Sequence, residues 1–139
     1  LKDIRNGSSG SSPQCLTPLG TKIYFRASDG THGSELWVSD GTVSGTSEFK
    51  DFNPGSGNGN PGGLTLFLTG FVFYANDGTH GSEMWFSDGT TTSMVKDIYP
   101  GATGGNPSSF SVPSLGTKVY FQATHPDSGT ELWVSDGTA

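Results

Sequence analysis

The chain has 139 residues, 13 of them acidic and seven basic, and its formal net charge is −6. The basic residues are dispersed, which argues against nucleic acid as a partner, because phosphate binding needs clustered Lys and Arg. No apolar run approaches the roughly 18 residues of a transmembrane helix, and the length suggests one domain, residues 1–139.

Short apolar and aromatic runs predict an all-β chain. In order, strands are expected at 23–27, 35–39, 46–52 and 64–68, and again at 93–98 and 110–112. In 35–39 the alternation places Leu36 and Val38 on one face and Trp37 on the other, which is typical of a strand. The Asp-Gly turn within 39–42 predicts a hairpin, and the glycine-rich segment 53–61 predicts a connector.

The strands belong to a repeat of roughly 47 residues. Trp37, Trp85 and Trp133 are spaced by 48 and 48 residues. A Lys-Asp-apolar triplet recurs at 2–4, 50–52 and 96–98. The units are placed at about 1–48, 49–94 and 95–139, each as a four-stranded antiparallel meander.

These markers resemble the ELWxxDGT repeat over essentially the whole chain. The signature residues are Glu35, Trp37 and Asp40, then Glu83, Trp85 and Asp88, then Glu131, Trp133 and Asp136. The second copy has Met84 in place of Leu, and the third departs from the family's Asp-Gly-Thr-His-Gly segment at 124–130. The resemblance implies a β-propeller-like array in secreted or surface-attached proteins and implies no defined activity.

Four short strands per unit is also the period of a propeller blade, with a β-solenoid as the alternative. Three units are fewer than the roughly four to eight blades of a closed ring. Because the sequence starts and stops inside a repeat, we expect a fragment of a longer chain, in which 1–4 could pair beside 131–135 as a terminal strand. Open sheet edges would otherwise favour self-association or tandem stacking.

The candidate chemical groups each have a structural interpretation. The Asp-Gly-Thr aspartates, Asp29 and Asp77 included, are expected to cap their own turns rather than bind calcium, because one carboxylate per turn is too few ligands. His32, His80 and His125 are expected in solvated loops rather than in a zinc site. The repeated Glu is expected to bond a turn or the neighbouring Lys strand, not to hydrolyse glycosides. The Trp side chains are expected to lock one unit to the next, and stacking on sugars is the alternative.

Two isolated features remain. Cys15 has the repeat mates Gly63 and Ser109, so a small half-buried residue is expected there, with a bond to another chain as the alternative. Asn6 lies in an Asn-Gly-Ser glycosylation sequon.

The predicted function is an extracellular or cell-surface structural or adhesive repeat protein, a building block of an appendage, filament or matrix. It is not expected to be an enzyme or to need a cofactor, and its partners would be other repeats or copies of itself. A glycan-binding lectin-type propeller module is the alternative, and the non-catalytic propeller part of a large enzyme is a more distant one.

Overall fold

The computed structural model describes residues 2–114 and 116–138. Within these ranges the chain is all-β, without helix. The strands are β1 Gln14–Leu19, β2 Lys22–Ala27, β3 Glu35–Ser39, β4 Ser47–Lys50, β5 Gly62–Phe67, β6 Gly70–Asn76, β7 Ser82–Ser87, β8 Thr92–Lys96, β9 Ser108–Ser111, β10 Val119–His125 and β11 Gly129–Ser135.

The strands form three antiparallel sheets in chain order. The first sheet is β1-β2-β3-β4, the second is β5-β6-β7-β8, and the third is β9-β10-β11. The all-β prediction is therefore confirmed, and the meander is four-stranded in the first two sheets. The third sheet has three strands in the described part of the chain.

One sequence expectation is wrong. Residues 2–4 were expected to form a strand, and they lie outside any strand. Instead, Ile4 packs on Phe25, Ala27 and Trp37 of the first sheet. This packing removes the apolar side chain of Ile4 from water. Leu1 lies outside the described residues.

The core lies mainly between the sheets. One apolar cluster joins the first sheet to the second and includes Tyr24, Leu36, Phe73 and Trp85. A second cluster joins the second sheet to the third and includes Met84 and Phe121. Every residue of β3 is buried because both of its faces are covered. The third cluster, with Phe25 and Trp37, lies on the outer face of the first sheet.

A bulge at one repeated position explains the small residues predicted there. Cys15, Gly63 and Ser109 have φ values of +56°, +65° and +58°, and the β1–β2, β5–β6 and β9–β10 pairings all shift register nearby. This left-handed backbone is easiest for glycine. Backbone conformation, in addition to burial, therefore selects a small residue at this position.

Candidate functional site

The repeated Glu binds the backbone of the connector that follows its sheet. Connectors are defined here as residues 2–13, 51–61 and 97–107, which lead into β1, β5 and β9. The fully buried carboxylate of Glu35 accepts hydrogen bonds from the N–H groups of Phe52 (2.8 Å) and Gly59 (2.5 Å). Glu35 therefore satisfies two buried N–H groups at separate places along one connector. These hydrogen bonds tie the connector to the sheet.

The second copy repeats this arrangement. Glu83 accepts from the N–H groups of Ile98 (3.1 Å), Tyr99 (3.1 Å) and Gly105 (2.6 Å). Burial raises the pKa of both glutamates, against the lowering effect of these hydrogen bonds, and Glu35 reaches about 7. The sequence predicted that the repeated Glu would bond a turn or the neighbouring Lys strand. In the structure Glu83 accepts hydrogen bonds from the two residues directly after Lys-Asp, Ile98 and Tyr99.

Glu131 is the exception among the three glutamates. It is exposed, and its carboxylate makes no hydrogen bond within the described ranges, although its backbone pairs with Ala123 of β10. Its repeat mates owe their burial to a connector, and the described part of the chain has no connector after β11.

The Asp-Gly-Thr aspartates accept hydrogen bonds within their own turns. The Asp40 carboxylate accepts from the N–H and hydroxyl of Thr42, and Asp136 from those of Thr138. Asp88 accepts from the N–H groups of Thr90 and Thr91. Hydrogen bonds from these threonines lower the pKa of all three aspartates, so their geometry is that of capped turns.

The histidines at 32 and 80 also pair with aspartates. His32 Nδ1 lies 2.8 Å from Asp29 Oδ2 and 3.6 Å from Glu48 Oε2, and His80 Nδ1 lies 2.6 Å from Asp77 Oδ2. The aspartate hydrogen bond raises the pKa of each histidine. His125 lacks such a close carboxylate, with Asp127 3.9 Å away.

Ligand atoms from Asp29, His32 and Glu48 lie within 4.8 Å of one another, a spacing that could hold a metal ion. Sequence reasoning missed Glu48, because its strand pairing beside Trp37 brings it to the loop only in three dimensions. Its repeat mate is Met94, so the second sheet lacks the third ligand. The His32 nitrogen nearest the carboxylates is already hydrogen-bonded to Asp29, which favours an imidazolium between two carboxylates.

The three Trp side chains lie against connectors or neighbouring sheets. Trp37 and Trp85 are buried and Trp133 is partly buried. Lys2 Nζ lies 6.0 Å from the ring centroid of Trp37, and Lys50 Nζ lies 5.9 Å from that of Trp85. The indoles of Trp37 and Trp85 are therefore inaccessible to a sugar ring.

The outer face of the third sheet is apolar and exposed. Tyr120, Leu132 and Val134 are 39%, 76% and 51% exposed. Their repeat mates in the first sheet, listed in the same order, are at most 8% exposed and pack toward the second sheet: Tyr24, Leu36 and Val38. The third sheet therefore presents the face that the first sheet uses to contact a neighbour.

Two apolar cavities lie beside these repeated contacts. One, of about 360 Å³, lies beside β11 and is lined by residues that include Met84, Val95, Trp133 and Val134. The other, of about 280 Å³, lies on the outer face of the first sheet and is lined by residues that include Ile4, Pro13, Ile23 and Phe25.

Cys15 is half-buried and free, and Asn6 is exposed. The sequence reasoning did not single out the connector groups that bind the glutamates, the N–H groups of Phe52, Gly59, Ile98, Tyr99 and Gly105. The sequence does carry a signal for these groups. An apolar residue recurs after each Lys-Asp, and in two copies a glycine follows it seven residues later.

No protein-family model matches the chain, and comparisons with curated proteins and with solved structures found no match. No helix able to cross a bilayer is found among the residues that the structure describes.

Proposed function

We propose that this chain is an extracellular structural or adhesive repeat protein, with β-propeller-like units of the ELWxxDGT type, that acts by packing units together and by self-association. Support comes from the three similar sheets and from the two buried clusters that join them in order. The repeated Asp and Glu carboxylates accept hydrogen bonds from turns and connectors. This is the pattern expected when a repeat has a structural role.

The carrying observation is the exposed face formed by Tyr120, Leu132 and Val134. The equivalent face is buried against a neighbouring sheet in the first repeat. An exposed apolar face of this kind is a candidate contact surface for another sheet. In the contact between the first and second sheets, the ring of Tyr24 lies 5.0 Å from that of Phe71. By the same repeat relationship, Tyr120 of one copy would pack on Ile23 of the next.

The receiving surface is the outer face of the first sheet. Ile23 and Phe25, which line the cavity there, are the repeat mates of Phe71 and Phe73. The two outer faces carry different residues, so a contact between them is head-to-tail. Head-to-tail contacts produce rings or filaments rather than closed dimers.

The test is the mass of the chain, measured by sedimentation equilibrium across micromolar concentrations. The wild type should grow in mass with concentration, and Leu132→Lys and Ile23→Lys should each reduce that growth. Mixing the two variants should yield pairs and nothing longer, since each retains one intact face. Val43→Lys is the control, because Val43 is also exposed but lies in a turn away from both faces. A wild type that stays monomeric throughout would contradict the proposal.

A further inference from the structure

The free edge of β11 is where the third sheet differs most from the other two. In the first sheet β3 pairs with β4, and in the second β7 pairs with β8. Their repeat mate β11 has β10 on one side and no strand on the other within the described ranges. Its outer backbone groups can therefore accept a further antiparallel strand.

The cavity beside β11 matches a side chain that such a strand would carry. In the second sheet Trp85 pairs with Met94 of β8, and Met94 packs into the cluster between the first and second sheets. Beside Trp133, the repeat mate of Trp85, lies the cavity of about 360 Å³. The space that Met94 fills in one repeat is thus available in the next.

Glu131 supplies the polar half of the same arrangement. Its mates, Glu35 and Glu83, each accept N–H groups from the apolar residue after Lys-Asp and from a glycine seven residues further on. Since the carboxylate of Glu131 is exposed and makes no hydrogen bond in the described chain, it is in position to accept the same groups from an incoming segment.

From these three features together we infer that the edge of β11, the adjoining cavity and Glu131 form a binding site for one extended segment. The partner is a strand with a medium-sized apolar side chain opposite Trp133, followed by Lys-Asp, an apolar residue and a glycine-rich loop. A further repeat of this type supplies such a segment, so the inference rests on the proposed function and specifies its contact. The segment would be recognised by strand pairing with β11 and by a side chain that fills the cavity. The carboxylate of Glu131 would also accept hydrogen bonds from two separated N–H groups of the segment.

The probe is a synthetic peptide with the sequence of residues 91–107, which contains β8 and its connector. Titrated into the full chain with a fluorescent label, it should bind saturably, with one peptide per chain. The register of β7 and β8 places the peptide's Lys96 opposite Leu132 and its Met94 opposite Trp133. Replacing Met94 in the peptide by Gly should strongly weaken binding, because no side chain would then fill the cavity.

Two changes test the role of Glu131. Glu131→Ala should weaken peptide binding by about tenfold, the range expected for losing charge-assisted hydrogen bonds. A peptide carrying Ile98→Pro lacks one donated N–H, and its weakened binding should depend less on Glu131. Asp127→Ala, which removes an exposed carboxylate from the β10–β11 hairpin, is the matched control and should bind like the wild type.

The outcomes separate this inference from the proposed function. Peptide binding with a persistently monomeric chain would support the site and overturn self-association through the outer faces. No saturable binding, or binding equally tight to the Glu131→Ala variant, would overturn the site even if the chain self-associates.

Discussion

The ring of Phe52 packs edge-on against the indole of Trp85, with 5.0 Å between ring centroids and 77° between planes. Phe52 belongs to the connector that leaves the first sheet, and Trp85 belongs to β7 of the second. The N–H of the same Phe52 is held by Glu35. Phe52 therefore contacts both sheets: its N–H donates to Glu35 of the first sheet, and its ring packs on Trp85 of the second.

Replacing either buried indole should destabilise the fold. We expect Trp85→Ala and Trp37→Ala to lower the free energy of unfolding by about 3–5 kcal/mol each, as for other buried aromatic side chains. Chemical denaturation followed by circular dichroism measures the loss. Near-wild-type stability in either variant would contradict the packing role.

Phenylalanine at the same positions provides a finer comparison. Trp85 Nε1 donates to the carbonyl of Ala75 at 3.1 Å, whereas Trp37 Nε1 is buried without a partner among the described atoms. Trp85→Phe should therefore cost more stability than Trp37→Phe by about 1 kcal/mol, the usual net value of a hydrogen bond. Equal losses would show that the indole N–H of Trp85 contributes nothing.

The buried glutamates should make the protein less stable as the pH rises. Burial raises the pKa of Glu35 from 4.5 to about 7 and also raises that of Glu83. Between pH 4.5 and 7 the folded state then binds more protons than the unfolded state, so the free energy of unfolding falls with pH. The expected fall is about 1–3 kcal/mol, at about 1.4 kcal/mol per pKa unit.

The experiment is urea denaturation at several values between pH 4.5 and 6.5. Glu35→Gln should flatten this pH dependence, although the amide also lowers stability at every pH by presenting a donor to one N–H. Asp40→Asn is the control, since the hydrogen bonds from Thr42 lower the pKa of Asp40 and its titration falls below this range. The histidine pKa values are raised, so their stabilising effect is lost only above pH 6.5. An unchanged slope in Glu35→Gln would contradict the assignment.

Cys15→Gly should stabilise the protein. Cys15 has φ +56°, and its mate Gly63 shows the residue that this bulge accommodates best. Relief of left-handed strain exceeds the entropy cost of glycine by about 0.5–1 kcal/mol. Cys15→Ala, which removes the thiol but keeps the strain, separates the two effects, and thermal melting compares them. A lower melting temperature for glycine than for alanine would refute the argument.

The sequence predicted the strands well wherever local pattern decides structure. The alternation of Leu36, Trp37 and Val38 predicts which side chains share a face, and the structure places them in two different clusters accordingly. Strand ends were less accurate. The run 46–52 was expected to be one strand, but β4 ends at Lys50, because the N–H of Phe52 is taken by Glu35 rather than by a strand.

Other features depend on contacts that sequence spacing does not show. The repeated Glu could be recognised from its recurrence, but its partners lie 15 to 24 residues away, at the end of the next predicted strand and in the glycine-rich segment that follows it. Glu48 joined Asp29 and His32 only through strand pairing. Residues 2–4 were expected to be a strand, and only the tertiary structure shows that Ile4 packs on the first sheet instead.

The sequence by itself determined an all-β chain of three similar units. Alternation and Asp-Gly turns determine strands and hairpins locally, and the 48-residue spacing of the Trp residues shows that these local signals repeat. Only the tertiary structure decided that equivalent residues have different environments. Leu36 is buried and Leu132 is 76% exposed, although both occupy the same place in the repeat. Burial depends on whether a neighbouring sheet covers the residue, and that neighbour is a property of the fold rather than of the repeated motif.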